Sequence, residues 1–574
     1  MPSLLRKRSC ENTRRGNGCC ETTAGMRHYT SQEGTMPATV QLSGNPDIDG
    51  LLWGYKWVSV FPSLQMTYSF PASANEYTGY DGFEAFNDAQ KTAVTNILAN
   101  IDHVCRITFT LTTGANATLR FAEASSLDYG GINDGVHTPG GQNNSAEGNA
   151  PDPTRYPSYA WGDCWFNHTD YNTPKLGTHA FSAGLMHEIG HALGLKHGHN
   201  TQETNGTIYP KLPEDHNSFE YSVMTYHQYV GEIQPGDSAF DHPTTLMMDD
   251  IAALQYLYGA DYTHNSGDNM YRWSPLTGQL FIDGLGQGAS DHNCILMTIW
   301  DGGGNDTYDF SNYNTDLRVD LSPGGWTTTD PAQLANLGTT ADPHSARGNI
   351  ANALLYQNNP ASLIENAIGG SGDDDITGNA ANNSLFGGAG KDTIHGGLGN
   401  DTLDGGTGAD LLVGGMGNDI FYVDDFGDQV VEGPWFGGID TAYASINYVL
   451  AGNVEALVLT GNATIGTGNY LNNSISGTVA SNLIDGGAGQ DSLGGLGGDD
   501  TFVFQAGEAG GDVVIDFEGN GNGAGDSLMF MGYGPGASFV QVDSTHWLIE
   551  SALFHEVITF QNAASIHATD VMFA

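Results

Sequence analysis

The 574-residue sequence predicts an α+β domain followed by an all-β roll of parallel strands. Two observations carry this prediction. Before Tyr262, apolar residues recur with the helical period in some segments and alternate in others, which is typical of mixed helices and strands. From Gly369 onward, a glycine-rich motif recurs every nine residues, and such a period indicates stacked units that share one core.

The first region shows both kinds of pattern. An amphipathic helix is predicted at 83–100, and its apolar face comprises Phe83, Phe86, Val94, Ile97 and Leu98. Further helices are predicted at 181–195 and 249–258. Strands are predicted at 105–112, 117–124 and 159–166, and the Gly- and Asn-rich run 130–153 is expected to be a loop.

The charge of the chain excludes one class of partner. There are 66 Asp and Glu residues against 18 Lys and Arg, a formal net charge of −48, and no basic residue follows Lys391. Binding nucleic acid requires a basic surface, so no nucleic-acid partner is expected. No run approaches the ~18 apolar residues of a membrane helix. The acidic half repels itself when compact, unless its carboxylates are well solvated or divalent cations neutralise them.

The most specific signal runs from His187 to His197 and reads H-E-x-x-H-x-x-G-x-x-H without a gap. His187 and His191 are one helical turn apart, so both imidazoles project from the same helix face. The helix could not bring His197 to the same point, but Gly194 permits the sharp turn that does. Three neutral imidazoles leave the fourth position of a zinc ion open to water, which is typical of a catalytic site.

Glu188 follows the first of these ligands. It is expected to reach the zinc-bound water as general base, so the motif indicates metal-assisted hydrolysis. The alternative is a buried helix whose histidines are hydrogen-bonded core residues. A single histidine would favour that alternative, whereas the five motif positions together favour the zinc site.

The nonapeptide blocks follow the consensus G-G-x-G-x-D-x-(apolar)-x. Glycines permit turns with positive φ, and turn carbonyls together with the Asp carboxylate supply the hard oxygen ligands that calcium prefers. The predicted calcium-binding aspartates are Asp374, Asp392, Asp401, Asp410, Asp419, Asp491 and Asp500. Asn383, Asn473 and Asn482 occupy the same position in weaker blocks, and Leu496 replaces a glycine in the last one.

A glycine-rich flexible linker is the alternative to the roll. A linker would not keep apolar residues at a fixed phase, and alternate strand positions must face a core. The fixed-phase residues are Ile376, Leu385, Ile394, Leu403, Leu412 and Phe421.

A second motif, Ser222-Val223-Met224-Thr225-Tyr226, extends the first. The zinc motif followed by this methionine turn resembles the metzincin peptidases, and with the repeats it resembles the serralysin family of secreted bacterial zinc proteases. The resemblance implies a metzincin catalytic domain with one catalytic zinc and several structural calcium ions. It also implies that Met224 underlies the metal and that Tyr226 ligates zinc and stabilises the oxyanion.

The family resemblance also implies calcium ligands ahead of the repeats. They comprise two neighbouring groups, one with Asp301, Gly303 and Asp306 beside Gly267, the other with Gly304, Asp306 and Glu365.

Four segments are predicted: a leader or propeptide at 1–45, the peptidase domain at 46–262, the calcium-binding roll at 263–505 and a final β region at 506–574. The start of the chain lacks the apolar stretch of a standard signal peptide. By resemblance, Asp570 and the apolar residues after it form an export signal read by secretion machinery. The expected protein is a secreted, extracellular monomer that acts on protein or peptide substrates.

Several departures from the family pattern stand beside these expectations. The loops near 130–155 and 323–361 are enlarged, Gly198 replaces a proline, and His199 is interpreted as a solvated turn residue. A disulfide between Cys105 and Cys164 is left open. The competing functional hypothesis is a calcium-dependent adhesion protein with a vestigial peptidase domain. A repeat-bearing lipase is disfavoured because no G-x-S-x-G motif occurs.

Overall fold

The structure is a computed structural model that describes residues 35–59, 64–73, 83–114, 116–124, 146–155, 160–167, 179–232, 241–288, 292–339, 343–434, 438–519, 523–562 and 565–574. Residues 1–34, with Cys10, Cys19 and Cys20, lie outside this set, as does most of the predicted loop 130–153. Among the described residues, none of the helices has the length and apolar character needed to cross a membrane.

The α+β region, residues 35–262, combines helices with short strands. Its helices are α1 (Pro46–Asp49), α2 (Asp88–Val104), α3 (His179–Ala192) and α4 (Met248–Tyr258). Its strands are β1 (Thr35–Thr39), β2 (Tyr55–Ser59), β3 (Leu64–Ser69), β4 (Phe83–Glu84), β5 (Ile107–Leu111), β6 (Leu119–Ala124), β7 (Ala146–Gly148), β8 (Asp163–Asn167), β9 (Gln202–Thr204) and β10 (Thr207–Tyr209).

One mainly parallel sheet organises this region. Strands β5, β3, β6 and β8 are adjacent and parallel, and β7 adds an antiparallel edge next to β8. Helices α2 and α3 pack with this sheet through apolar side chains such as Ile97, Leu98 and Leu185. The sheet therefore places edge strand β7 beside α3, the helix that carries the zinc motif.

Helix α2 begins five residues later than the helical period predicts. Asn87 caps it, since the Asn87 side chain accepts hydrogen bonds from the backbone of Ala89 and Gln90, and the Gln90 side chain accepts one from the Asn87 backbone. This capping box fixes the helix start. Phe83, predicted on the helix face, instead lies in β4 and pairs with Ala124.

Beyond residue 262 the described chain is almost entirely β. Its strands are β11 (Met270–Trp273), β12 (Leu280–Ile282), β13 (Leu285–Gly286), β14 (Met297–Ile299), β15 (Thr307–Asp309), β16 (Arg318–Asp320), β17 (Trp326–Thr327), β18 (Ile350–Asn352), β19 (Asn366–Ile368), β20 (Asp375–Thr377), β21 (Ser384–Ala389), β22 (Thr393–Leu398), β23 (Thr402–Thr407), β24 (Leu411–Met416), β25 (Ile420–Val423), β26 (Gln429–Val431), β27 (Thr441–Ala444), β28 (Tyr448–Val449), β29 (Ala456–Leu459), β30 (Ile465–Thr467), β31 (Ser474–Ser476), β32 (Leu483–Asp485), β33 (Ser492–Gly494), β34 (Thr501–Gln505), β35 (Val513–Val514), β36 (Ser527–Met531), β37 (Ser538–Gln541), β38 (His546–Glu550), β39 (His555–Phe560) and β40 (Val571–Phe573).

These strands form the predicted parallel roll. Successive nonapeptides contribute strands to alternate sheets. Each strand therefore pairs in parallel with the strand 18 residues later; Leu385 is opposite Leu403, and Ile394 is opposite Leu412. The fixed-phase apolar residues are fully buried between the sheets. The ladder β25-β27-β29-β31 continues through the segment that lacks the consensus, so the two repeat runs belong to one roll.

The roll and the α+β region share part of a core. Leu296, Trp300, Leu337 and Ala353 pack in the same apolar cluster as side chains of α2, α3 and α4. The enlarged loop 323–361 supplies several of these contacts, and its His344 stacks on Tyr229 with ring centroids 4.0 Å apart. The two regions are therefore expected to depend on each other for stability.

Cys105 and Cys164 are both buried and neither forms a disulfide. The Cys105 thiol donates to the carbonyl of Ile101, and the Cys164 thiol lies 3.7 Å from the carbonyl of Glu188. Burial raises the pKa of both thiols, which keeps them protonated and unreactive.

Candidate metal centres

The zinc motif lies on α3 and on the turn after it, as predicted. Gly194 has φ of +99°, and a Cβ at this position would approach the carbonyl of Tyr55 to 2.4 Å. Only glycine satisfies both conditions, since side chains disfavour this conformation and would collide with β2. The turn at Gly194 therefore directs His197 back to the two helical histidines.

The three predicted zinc ligands converge. The Nε2 atoms of His187 and His191 lie 3.1 Å apart, those of His191 and His197 lie 3.0 Å apart, and those of His187 and His197 lie 3.1 Å apart. Tetrahedral zinc with bonds of 2.0–2.1 Å requires nitrogens about 3.4 Å apart, so the triangle is close to the size that the ion needs.

Hydrogen bonds fix the tautomers of two of these rings. Nδ1 of His187 lies 2.7 Å from the carbonyl of Val223, and Nδ1 of His191 lies 2.9 Å from that of Leu195. A carbonyl accepts, so each Nδ1 donates and each Nε2 presents a lone pair to the centre. Burial lowers the pKa of His187, His191 and His197, which keeps the imidazoles neutral. Two lone pairs and the neutral His197 ring thus converge on one point, an arrangement that suits a cation.

Tyr226 completes the centre. Its hydroxyl lies 2.9 Å from Nε2 of His197, and the side chain is about half exposed. His199 stacks 4.6 Å from the Tyr226 ring and 5.1 Å from His197, and its Nδ1 is buried without a hydrogen-bond partner. His199 lies in a turn, as interpreted, but it is half-buried rather than solvated.

Glu188 is buried beside the triangle and is not one of its three converging groups. Burial and then the negative charge of Glu147 raise the pKa of Glu188 to about 8, and a hydrogen bond from the Gly148 backbone opposes them. A Cβ on Gly148 would lie 2.0 Å from the carbonyl of Glu188, so β7 contacts α3 directly. A nearby dication would lower the pKa again, because it favours the carboxylate.

The methionine turn is held by contacts with two helices, α3 and α4. A Cβ at Gly190 would lie 2.5 Å from Sδ of Met224, which places that side chain directly under α3. Asp250 at the start of α4 accepts hydrogen bonds from the Ser222 hydroxyl and the Val223 backbone, at 2.6 Å and 2.8 Å. Asp250 therefore positions Val223, the residue whose carbonyl orients His187.

The calcium ligands predicted ahead of the repeats also lie together. Asp301 accepts from the backbone of Gly303 at 2.6 Å, and Glu365 accepts from the backbone of Asp306 at 2.8 Å. A Cβ at Gly304 would lie 2.3 Å from the Gly267 carbonyl and 2.9 Å from Asp306. Oδ2 of Asp306 is buried without a partner. The clustered oxygens match the ligands that calcium prefers.

The repeat aspartates share one arrangement. Oδ1 of each accepts a backbone hydrogen bond from the turn before it, as from Asp374 to Asp392. Oδ2 faces the first glycine of its own block: a Cβ at Gly387 would lie 2.4 Å from Asp392 Oδ2 and 2.7 Å from the Gly405 carbonyl. The consensus aspartates whose Oδ2 is buried without a hydrogen-bond partner are Asp392, Asp401, Asp410, Asp419 and Asp491.

The ends of the run differ slightly from its middle. Both carboxylate oxygens of Asp374 accept from backbone donors, those of Gly370 and Leu317. Asp500 keeps the common arrangement, since a Cβ at Gly495 would lie 2.1 Å from its Oδ2. Glycine is required in these turns because a side chain would fill the space between carboxylate and carbonyl, where a calcium ion fits.

Some residues with the same arrangement do not follow the nine-residue spacing. Asp440 and Asp512 accept from the backbone of a consensus aspartate 21 residues earlier, and Asp526 does so from one 26 residues earlier. Insertions between strands shift them out of register. The fixed spacing of the motif therefore misses them, although the structure places them in equivalent positions.

Comparison with known proteins agrees with these two centres. The RTX calcium-binding nonapeptide repeat matches residues 368–403, 395–430 and 467–502. Serralysin of Proteus mirabilis is 33% identical over 342 residues, which cover 58% of this chain and 62% of the relative. The chain is a homologue of the serralysins.

Other relatives give the same result for this serralysin homologue. Serralysin C of Dickeya chrysanthemi is 31% identical and covers 54% of this chain and 58% of its own. Metallopeptidase AprA of Pseudomonas marginalis is 31% identical, with 56% and 61% covered. The match therefore spans about three-fifths of the length of these relatives. Homology to serralysins implies zinc, and the RTX repeats imply calcium.

Proposed function

We propose that this serralysin homologue is a secreted zinc-dependent endopeptidase that hydrolyses protein substrates and is stabilised by calcium bound to its repeats. The observation that carries the proposal is the convergence of three imidazole nitrogens next to a buried carboxylate and an exposed tyrosine. The names of the relatives, serralysin and metallopeptidase, support the same activity.

Each of the proposed site residues has a separate role in the reaction. His187, His191 and His197 hold one zinc ion, which when bound supplies Lewis acidity to a water molecule and to the scissile carbonyl. Glu188 accepts the proton of the attacking water and passes it to the leaving amine. Tyr226 swings from the His197 side of the centre to donate a hydrogen bond to the oxyanion.

The substrate is proposed to lie extended along β7. Among the described residues, β7 pairs with β8 alone, and its other edge is proposed to accept an added substrate strand. Its last residue, Gly148, contacts Glu188, so a peptide paired there would pass the general base. Protein substrates of many sequences suit this mode, because the backbone supplies most of the contacts.

A protease assay with a zinc-selective chelator tests the proposed function. We expect casein hydrolysis to stop when zinc is removed and to return when zinc is added in constant calcium, because the three imidazoles lose and regain the ion. Metal analysis should find one zinc per chain. A chain that binds zinc and calcium yet cleaves no protein would favour the adhesion hypothesis instead.

Export is proposed to depend on the segment after residue 523. Asp570 and strand β40 form an acidic residue followed by an apolar stretch, and Met572 and Phe573 are partly exposed on the outer edge of a sheet. Residues 523–574 fused to an unrelated passenger should direct it out of a producing cell. The same fusion without residues 570–574 should stay inside, and its secretion at equal yield would contradict the proposal.

A further inference from the structure

The first run of repeats ends in a turn that differs from those before it. In a regular turn, the first glycine of the block faces its own aspartate and a backbone carbonyl 18 residues later. A Cβ at Gly396, for example, would lie 2.4 Å from Asp401 Oδ2 and 2.6 Å from the Gly414 carbonyl. Each regular turn thus combines carboxylate and neutral carbonyl oxygens.

The block that begins at Gly414 differs at the position 18 residues later. In the turns described above that position is a glycine, whereas here it is Glu432. A Cβ at Gly414 would lie 1.8 Å from Oε1 of Glu432 and 2.5 Å from Oδ2 of Asp419. Glu432 is 18 residues after Gly414, the same offset that places a glycine carbonyl in the regular turns. A charged carboxylate therefore lies at Gly414 where the turns at Gly387 and Gly396 have a neutral carbonyl.

Asp440 supplies a third carboxylate. It accepts a hydrogen bond of 2.7 Å from the Asp419 backbone, the bond that an aspartate 18 residues on makes in most turns. Here the offset is 21 residues, so an insertion of three residues has been accommodated without loss of the contact. The insertion leaves the ladder intact, because β25 still pairs in register with β27.

Each of the three carboxylates accepts a backbone hydrogen bond through one oxygen and turns its other oxygen toward the shared centre. One oxygen from each of Asp419, Glu432 and Asp440 lies within 4.8 Å of the other two. Asp419 Oδ2, Glu432 Oε1 and Asp440 Oδ2 are buried and have no hydrogen-bond partner, and their residues are 1%, 7% and 0% exposed. The chain has no Lys or Arg after Lys391 to neutralise them. Carboxylates this close repel strongly when water is excluded.

We propose that Asp419, Glu432 and Asp440 form a calcium site that closes the first repeat run and binds the ion more tightly than the turns before it. Oxygen ligands of this charge suit a hard divalent cation, and calcium affinity rises with the number of charged ligands. A regular turn such as that of Asp392 brings two consensus carboxylates together, whereas this turn brings three.

The site also joins the first repeat run to the strands after it. The Asp440 backbone donates to Glu455 at 3.0 Å, and β27 begins at the next residue. Calcium held by Asp440 would therefore fix the start of β27, and with it the start of the ladder that leads to the second repeat run. The site is expected to fill first as calcium rises and to seed the order of the strands on either side.

Substitution of Glu432 in the full chain tests the site. E432Q keeps the shape of the side chain and removes one charge, so at low free calcium it should retain about one ion fewer per chain than the wild type. The calcium midpoint for amide protection of residues 411–445 should rise about tenfold or more. Calcium content is read by metal analysis after dialysis against a calcium buffer, with magnesium alone as a parallel arm that should give no protection.

Two variants serve as controls. E550Q removes an exposed carboxylate of β38, which lies outside the repeat blocks, and should match the wild type. D392N weakens a regular turn and should lower the calcium content only at higher free calcium. In excess chelator, E432Q should be protected at least as well as the wild type, because it removes an unpaired buried charge.

Each opposite result overturns the proposal. Equal calcium retention by E432Q and E550Q would show that no ion is held by Glu432. An equal loss in D392N and E432Q at low calcium would show that the three-carboxylate turn is not the tighter one. Loss of folding in E432Q both with and without calcium would show that Glu432 has a structural role instead.

Discussion

Glu188→Gln is expected to lose nearly all proteolysis, about 10²–10⁴-fold in kcat, while its zinc content stays at the wild-type level. The glutamine keeps the size of the side chain but cannot accept a proton. Zinc should remain, because Glu188 lies beside the triangle of nitrogens and contributes nothing to it. Steady-state kinetics on a fluorogenic peptide, with metal analysis of the same sample, measures both quantities.

Two further variants show whether the loss is specific. His191→Ala removes one corner of the triangle and should lose zinc and activity together. Tyr226→Phe should keep zinc and lose about ten- to a thousandfold in kcat, the range for one oxyanion donor. Activity of Glu188→Gln within a few-fold of the wild type would refute its role as general base.

The spacing of the zinc motif predicted the triangle because its geometry is local. Two histidines one turn apart must share a helix face, and one glycine decides the turn that returns the third. The structure brings the three histidines together and places the Tyr226 hydroxyl next to His197. Their roles in binding zinc and in catalysis remain proposals, since geometry alone does not measure either.

Contacts between distant segments could not be predicted in the same way. Gly148 approaches Glu188 because the sheet places β7 beside α3, and the sequence around Gly148 carries no sign of it. Asp250 reaches the methionine turn through the packing of α4. The only local sign of this contact is the acidic pair Asp249 and Asp250 at the start of a helix. Acidic residues are common there because they interact favourably with the helix dipole, so the pair does not by itself indicate a distant contact.

The repeats show both the strength and the limit of a periodic signal. The period predicted the roll, its buried apolar positions and the aspartates of the regular blocks. It missed Asp440 and Asp512, whose offset of 21 residues breaks the period while the ladder continues. Strands pair through the folded backbone, so the turns between them can carry insertions without loss of pairing. A search for a fixed nine-residue spacing does not find residues that lie beyond such an insertion.

The roll is expected to fold only when calcium is present. In the full chain with excess calcium-selective chelator, amides of residues 369–505 should exchange rapidly with solvent, and millimolar calcium should protect them cooperatively. The unpartnered carboxylate oxygens repel one another and lose hydration in the folded state, and calcium reverses both effects. Hydrogen exchange read by mass spectrometry locates the protected peptides, and the full chain is needed because residues such as Leu296 and Leu337 pack in the peptidase core.

The same carboxylates give the calcium requirement a pH dependence. Burial raises the pKa of Asp392 to about 6 and the pKa values of Asp401 and Asp500 to about 7. The folded state without calcium thus binds more protons than the unfolded state, and its stability falls as pH rises from about 4 to about 7. With chelator, protection at pH 5 should therefore exceed protection at pH 8, and calcium should matter most at pH 8. A repeat segment fully protected in excess chelator at pH 8 would show that the carboxylates do not control folding.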